Sequence, residues 1–312
     1  MEKQDQMKFI FILNPIAGKH KALELREAIS KKFEILGKSD QCIIHFTERP
    51  LHAVELAREY ATKYGKHAII YACGGDGTIN EVANGIIGTE AALSVIPAGT
   101  GNDFVKTLYE NKNPFHIIEI IMDYKTKTID SATLDGRTFV NISSLGFDTI
   151  VGDKAKQLVA KAKFLGGSAY FIAIFICLLG KNYSRMKYHF ETFDDEGKEI
   201  IYEKEQDFVL AAVANAKFYG GLFQPCPMAD LSDGFIDICI IDRISVPKIL
   251  AMIPKYIKGT HINDPAATFY KVKRGFMEGI GEKLLVNCDG ESFIKERVEL
   301  EIYPASINVA YY

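Results

Sequence analysis

The chain has no tryptophan, although 15 Tyr and 20 Phe leave it well supplied with aromatic side chains. Its six cysteines (Cys42, Cys73, Cys177, Cys226, Cys239, Cys288) are scattered, with no CxxC pair among them. That spacing excludes a compact zinc ribbon and a thioredoxin-like redox motif, and it predicts reduced, mostly buried thiols. Neither sign of charge prevails: 37 Lys and Arg face 40 Asp and Glu, a net charge of −3. Such a balance argues against nucleic acid as a partner of the whole protein. A hydrophobic content of 48% excludes a disordered chain. Neither GxGxxG nor GxxxxGK[ST] occurs at the glycine-rich loops, so neither a dinucleotide-binding Rossmann turn nor a P-loop is supported.

Long hydrophobic runs are also missing. The first seven residues, MEKQDQM, are polar, and the apolar run Phe9 to Leu13 stops at Asn14-Pro15. It reads as a strand and not as a signal-peptide core. The most apolar stretch, Ala169 to Leu179, would span about 16 Å as a helix, against about 30 Å of bilayer core. Two readings stay open for it: a buried helix, or one that touches a membrane or a lipid chain. Its surroundings carry Lys154, Lys156, Lys161, Lys163, Lys181, Arg185 and Lys187 and no acidic residue up to Tyr188. Residues 243 to 274 hold seven further Lys and Arg against Asp264 alone. Both segments suit an anionic headgroup surface, and both equally suit an ordinary solvated face.

With 312 residues, the chain is long enough for one large domain or two medium ones. Up to about residue 130, short apolar runs alternate with helical periodicity. Strands are expected at 8–13, 42–46, 67–73 and 92–96, and helices at 21–33, 51–64 and 78–87. That alternation predicts an α/β domain with a parallel sheet covered on both faces. Beyond residue 130 the pattern turns strand-rich. Strands are expected at 139–143, 188–193, 208–213, 235–240, 267–272, 283–287, 298–303 and 307–310, with helices at about 150–163, 168–180 and 245–258. Asp194-Asp195-Glu196-Gly197 reads as a hairpin turn. An antiparallel β-sandwich or barrel is the expectation for this second domain. The expected boundaries are 1–130 and 131–300, with 301–312 packing back toward the first domain.

The 25 glycines matter through their placement. Asn14-Pro15-Ile16-Ala17-Gly18 separates a strand from a helix, with Lys19 and Lys21 beside it. It is an anion-binding corner or a plain turn. Gly74-Gly75-Asp76-Gly77-Thr78, followed by Ile79-Asn80-Glu81, packs three glycines into four positions. Such a loop brings backbone N–H groups close to a ligand, and an acidic residue within it implies Mg²⁺ beside a phosphate. Pro97-Ala98-Gly99-Thr100-Gly101-Asn102-Asp103-Phe104 again leads from a strand to a helix, and Thr47-Glu48 follows the second strand. All four sit at carboxyl ends of parallel strands, where open α/β sheets bind ligands.

The second domain offers two acidic groups. Asp230 and Asp233, in the segment PMADLSDGFID, suit a hard cation or a simple acidic turn, and Asp237 is expected to face solvent or cap a sheet edge. Asn287-Cys288-Asp289-Gly290-Glu291 follows an apolar strand. It offers Asp289 as a general base with Glu291 assisting, or else an Asp-Gly hairpin turn.

Asn14-Pro15-x-Ala17-Gly18, the Gly74 to Glu81 segment, Thr100-Gly101-Asn102-Asp103-Phe104 and Asp289-Gly290-Glu291 together resemble the diacylglycerol kinase catalytic domain family. That family includes bacterial soluble diacylglycerol kinases and sphingosine and ceramide kinases. The resemblance implies an ATP- and Mg²⁺-dependent lipid kinase acting on the primary hydroxyl of a membrane lipid, diacylglycerol first. NAD kinase-type activity, a sphingosine-like acceptor and a non-catalytic lipid-binding regulator are the alternatives. By that resemblance, Asn14, Pro15, Ile16, Ala17, Gly18, Thr47, Gly74, Gly75, Asp76, Gly77, Thr78, Ile79, Asn80 and Thr100 contact ATP. Asp289 is the base, Glu291 binds nucleotide or metal-linked water, and Asp76 helps to hold Mg²⁺. Asp230, Asp233 and the Phe235 carbonyl hold a structural Mg²⁺. A homodimer, transient contact with an anionic membrane surface and a cytoplasmic location at the inner face of the cell membrane are implied as well.

Overall fold

The computed structural model describes residues 6–18, 21–99, 101–109, 113–162, 168–194 and 196–312. Thr100, Lys19, Lys163 and Asp195 therefore lie outside the described residues. The chain forms two compact units, residues 1–131 with 303–312, and residues 132–302.

In chain order the elements begin with β1 (Lys8–Leu13), α1 (Lys21–Ile35), β2 (Cys42–Phe46), α2 (His52–Tyr64) and β3 (Ala68–Gly74). There follow α3 (Asp76–Ile86), β4 (Ala92–Pro97), α4 (Asp103–Leu108), α5 (Pro114–Glu119), β5 (Lys125–Leu134) and β6 (Arg137–Phe139). Next come β7 (Ile142–Gly146), α6 (Phe147–Lys161), α7 (Ser168–Leu178), β8 (Ser184–Phe193), β9 (Glu199–Ala214) and β10 (Ile236–Asp242). The last are α8 (Val246–Lys258), β11 (Ala267–Val272), β12 (Arg274–Gly279), β13 (Leu284–Cys288), β14 (Glu291–Lys295) and β15 (Arg297–Tyr311).

The first unit is a parallel sheet in the order β2-β1-β3-β4-β15. Its central strands are buried over almost their whole length, as continuous apolar runs such as FIFIL and AIIYACG require when both faces are covered. Phe9, Phe11, Phe33 and Tyr71 pack as one aromatic cluster, with the Phe11 and Tyr71 rings 4.6 Å apart. Helix α1 presents Ala22, Leu25, Ile29 and Phe33 to this core at helical spacing.

In the second unit the pairings of β7 to β14 are antiparallel. Two apolar layers result, and the strands divide their side chains between them with period two. Ala211, Val213, Ile236, Ile238 and Ile240 point into the sandwich interior. Ala212, Ala214, Cys239 and Ile241 point the other way, against α6, α7 and α8. This is the antiparallel β-sandwich expected from the strand-rich half.

Three local expectations need correction. The single strand at 139–143 is instead two, β6 and β7, with Val140 and Asn141 between them. The separate strands at 298–303 and 307–310 are one continuous β15. It passes Ala305 in the left-handed region (φ 49°), where the Ala305 N–H donates to the buried Asp130 carboxylate at 2.7 Å. Asp237 is buried and not at the surface, because it sits mid-sheet on β10 opposite Lys271 of β11.

Candidate active site

In the first unit, four strand-to-helix loops are tied together by backbone and side-chain bonds. The Asn14 N–H donates to the Cys73 carbonyl (3.0 Å), and the Thr47 N–H donates to the Leu13 carbonyl (2.9 Å). The Asn14 side chain accepts from the Ile16 N–H (3.1 Å) and donates to Thr78 Oγ1 (3.1 Å). Asn14 thus fastens the first loop to the first turn of α3. The Ala98 and Gly99 N–H groups both donate to the Gly74 carbonyl, at 2.9 and 3.1 Å.

The glycines answer to this crowding. A Cβ on Gly99 would lie 2.4 Å from the Gly75 Cα, so the two loops touch backbone to backbone. Gly18 has φ +63°, and a Cβ there would meet the Ala98 carbonyl oxygen at 2.2 Å. Helix α3 starts at Asp76 with Gly75 as its N-cap and no side-chain cap. Its first-turn N–H groups, with the helix dipole behind them, form an anion-binding end. Thr78 is buried on this turn, Ile79 is core, and Asn80 accepts from the Asn84 side chain at 2.9 and 3.1 Å. Pro15 and Ile16 are exposed, and Ala17 and Thr47 are half-buried.

Asp76 has a role that its position in a glycine loop does not announce. Its Oδ1 accepts from the Asp103 N–H (2.8 Å) and the Phe104 N–H (3.1 Å), the first N–H groups of α4. It is a cap supplied from another loop, and it locks the second glycine loop to the third. Gly101 keeps the space clear: a Cβ there would come within 3.1 Å of Asp76 Oδ2. Burial and then the neighbouring Asp103 carboxylate push the Asp76 carboxyl above the usual range, while the two N–H bonds oppose the shift. Asp103 is itself buried and paired to Lys106 at 2.5 Å. Asn102, at φ 49°, closes the third loop by accepting from the Gly99 N–H (3.0 Å) and donating to the Gly99 carbonyl (2.9 Å). The sequence reading gave no role to Asn102 or Lys106; an Asn just before a helix, after glycines, was the available signal.

In the second unit, Asp289 and Gly290 form the two-residue turn between β13 and β14, where Cys288 pairs with Glu291. Both have positive φ, 42° and 98°, as a tight hairpin turn of this length demands. The hairpin turn of the sequence analysis is present, and backbone donors hold the Asp289 carboxylate in place. Its Oδ2 accepts from the Val140 N–H and its Oδ1 from the Ile142 N–H, each at 3.1 Å. These donors lie in the break between β6 and β7, so that interruption serves the carboxylate. Gly290 is held by its N–H to Asn287 Oδ1 (3.0 Å) and by Lys156 on its carbonyl. Glu291 is well exposed, 3.9 Å from Arg137.

Asp230 and Asp233 lie in the loop before β10, and Asp237 lies on β10 itself. Asp230 Oδ1 accepts from the Ser232 N–H and hydroxyl, both at 2.9 Å, and Asp233 Oδ1 accepts from the Phe235 N–H at 3.0 Å. Lys271 pairs with Asp233 and lies 3.7 Å from Asp237 Oδ2, an oxygen buried with no hydrogen-bond partner. Burial raises the Asp237 carboxyl to about 6 against the opposing pull of Lys271. Carboxylate oxygens beside an orphaned buried one suit a hard cation. Among the described residues, no three His, Cys, Asp or Glu side chains converge as a metal-binding group.

Several basic side chains of the two segments are paired with carboxylates. Lys181 pairs with Glu282, Arg185 with Glu205, Arg243 with Asp207, Arg274 with Glu191, and Lys248 and Lys255 share Asp264. Helix α7 differs: Phe171, Ile172, Phe175, Ile176 and the following Leu179 form an exposed apolar stripe, with Phe175 at 62% and Leu179 at 90% exposure. Among the described residues, no helix is long and apolar enough to cross a membrane.

The chain is similar to several known proteins. A diacylglycerol kinase from Mycobacterium tuberculosis is 28% identical over 97% of this chain and 94% of its own length. One from Bacillus subtilis is 28% identical over 90% of this chain and 88% of its own. The crystal structure of a relative from Bacillus anthracis superposes with a TM-score of 0.75 at 25% identity, covering 99% of this chain and 98% of that one. Residues 8–134 match the diacylglycerol kinase catalytic domain, which makes the chain an enzyme of the kinase class. Residues 141–311 match the YegS C-terminal NAD kinase beta sandwich-like domain. With both matches in sequence order, the chain belongs to the bacterial lipid-kinase family that joins these two domains.

Proposed function

We propose that this ATP-dependent lipid kinase transfers the γ-phosphate of ATP to the primary hydroxyl of diacylglycerol, giving phosphatidic acid. The observation that carries the reading is the aimed Asp289 carboxylate, held by two backbone N–H groups on an Asp-Gly turn. The acceptor hydroxyl gives its proton to Asp289. Its oxygen then bonds to the γ-phosphorus as the bridging oxygen leaves with ADP. The interlocked loops at Asn14 to Gly18, Thr47, Gly74 to Asn80 and Thr100 bind the phosphates through backbone N–H groups and the N-terminus of α3. Asp76 fixes the relative placement of two of those loops and adds a negative charge beside them. Mg²⁺ would neutralise phosphate charge; by family likeness Asp76 would help to hold it and Glu291 would bind nucleotide or metal-linked water, and a second Mg²⁺ would be held by Asp230, Asp233 and the Phe235 carbonyl. Diacylglycerol as acceptor is supported by the names of the Mycobacterium and Bacillus relatives.

The substrate resides in a bilayer, so the protein must reach one. The exposed stripe of α7 supports transient contact with an anionic membrane at the cytoplasmic face, and Lys154, Lys161 and Lys258 contribute positive charge. A homodimer is proposed on family likeness alone. The test is a kinase assay with labelled ATP and MgCl₂ against diacylglycerol, sphingosine, ceramide and NAD. Labelled phosphatidic acid as the main product is expected. Label in NAD with none in lipid would overturn the reading.

A further inference from the structure

Helix α6 grips the hairpin turn that carries Asp289 and Glu291, through side chains to which phosphoryl transfer has so far given no task. The Lys156 ammonium donates to the Gly290 carbonyl. The Ser292 hydroxyl donates to Asp153 Oδ1 at 2.7 Å. Asp153 and Lys156 are three positions apart on α6, so they stand on one face and reach the two residues that flank Glu291. Asn287 links these contacts. Its Oδ1 accepts from the Gly290 N–H (3.0 Å), and its Nδ2 donates to Ser292 Oγ (3.1 Å). The Ser292 oxygen receives that bond, so its own proton points to the Asp153 carboxylate. The bonds therefore run in one sense, from the Gly290 N–H through Asn287 and Ser292 to α6.

Strand β14 is an end strand of the sheet and, among the described residues, pairs with β13 alone. Gly290, Glu291 and Ser292 are all exposed. A hairpin tip of this kind, with exposed backbone bonds, opens at low free-energy cost. The Asp289 carboxylate is held from the sheet side by the Val140 and Ile142 N–H groups. The backbone that follows it is held from α6. That helix is itself anchored, because Val151 and Ala155 lie in the apolar layer that also contains Ala173 and Ile174 of α7. Bonds as exposed as those of Lys156 and Ser292 add little to overall stability. Their effect is local, on where the turn sits. A displacement of about 1 Å at reacting groups can cost roughly a hundredfold in rate.

We propose that Asp153 and Lys156 of α6 are positioning residues for phosphoryl transfer, which hold the Asp289 turn in place against the acceptor hydroxyl. The proposal deepens the kinase reading and rests on it for the task of the turn. The grip is a separate physical statement: without these two side chains the turn opens more often, whatever it acts on.

Two readouts are taken on Lys156→Ala, Lys156→Arg, Asp153→Ala, Ser292→Ala and the pair Asp153→Ala with Ser292→Ala. Gln157→Ala, exposed on the same helix, is the control. Amide hydrogen exchange over residues 287–292 reads the turn. It should quicken about threefold or more in Lys156→Ala and Asp153→Ala and stay native in Gln157→Ala. Transfer is read with labelled ATP and dissolved dihexanoylglycerol, so that losing a basic side chain cannot act through a membrane surface. In the same two variants kcat should fall by roughly 10- to 100-fold, with the KM for ATP within about twofold of native. Lys156→Arg keeps a donor for the Gly290 carbonyl and should recover most of the rate. The paired variant should lose little more than Asp153→Ala alone, because both changes remove one bond. Native exchange in both alanine variants of α6, quickened exchange with native kcat, or additive losses in the paired variant would overturn the inference. Quickened exchange in a protein whose native form phosphorylates no diacylglycerol would support the grip and refute the substrate reading instead.

Discussion

The interlock made by Asp76 can be separated from its charge by two substitutions. Asp76→Ala removes the acceptor for the Asp103 and Phe104 N–H groups, which it holds at 2.8 and 3.1 Å. Bonds to a charged acceptor contribute roughly 1.5–3 kcal/mol each. Their loss is partly offset, because the Asp76 carboxylate is disfavoured by burial and by Asp103. A net destabilisation of about 2–3 kcal/mol remains. Asp76→Asn keeps an amide oxygen at the same place and loses the charge, so it should cost under about 1 kcal/mol. The assay is amide hydrogen exchange over residues 101–109, which reads the α4 end locally and does not depend on two-state unfolding of a two-unit chain. Asp76→Ala should exchange there about 30-fold or more faster, the factor matching 2 kcal/mol, and Asp76→Asn less than about sixfold faster. With the loops intact, Asp76→Asn then reports the charge alone, and a fall in kcat of about a hundredfold is expected. Equal exchange in the two variants, or unchanged exchange in Asp76→Ala, would refute the capping role.

Other expectations follow from the same geometry. Gly99→Ala drives a methyl into the Gly75 backbone and should separate the two loops, costing roughly 1–3 kcal/mol and raising the KM for ATP more than that for lipid; wild-type ATP binding by calorimetry would contradict it. Burial raises the Asp148 carboxyl from 3.8 to about 6. A carboxyl raised on folding contributes stability that is full below pH 4 and is lost as pH rises through 6, about 3 kcal/mol by pH 7. Asp148→Asn should therefore gain about that much relative to the native chain between pH 4 and 7 in urea unfolding, and a pH-independent difference would sink the idea.

Much of the first unit was legible because its central strands are buried as continuous apolar runs. Strands β1 and β2 run over the residues that the apolar runs 8–13 and 42–46 mark, and the glycine loops fall at the ends of β1, β3 and β4. The second unit hid more. Strand β14, ESFIK, is mostly exposed and carries one half-buried Phe293, so no alternation betrays it. Strand β15 looked broken at Pro304-Ala305-Ser306, yet Asp130, 175 positions away, accepts the Ala305 N–H and lets the strand continue. The role of Asp76 was illegible for a similar reason, since its partners on α4 lie 27 and 28 residues downstream. Asp289-Gly290 was legible as a turn, and how its carboxylate is held was not. The two N–H donors from the β6–β7 break show that the turn presents an aimed carboxylate.

The central claim is that Asp289 takes the proton of a lipid hydroxyl. A single-turnover measurement of labelled phosphatidic acid formed from γ-labelled ATP and diacylglycerol, native chain against Asp289→Asn, tests it most directly. The asparagine retains oxygen for one backbone donor and cannot accept the proton. A fall of about 10²–10⁴ in the transfer step, with ATP affinity unchanged, is predicted. Transfer at the native rate by Asp289→Asn would contradict the account.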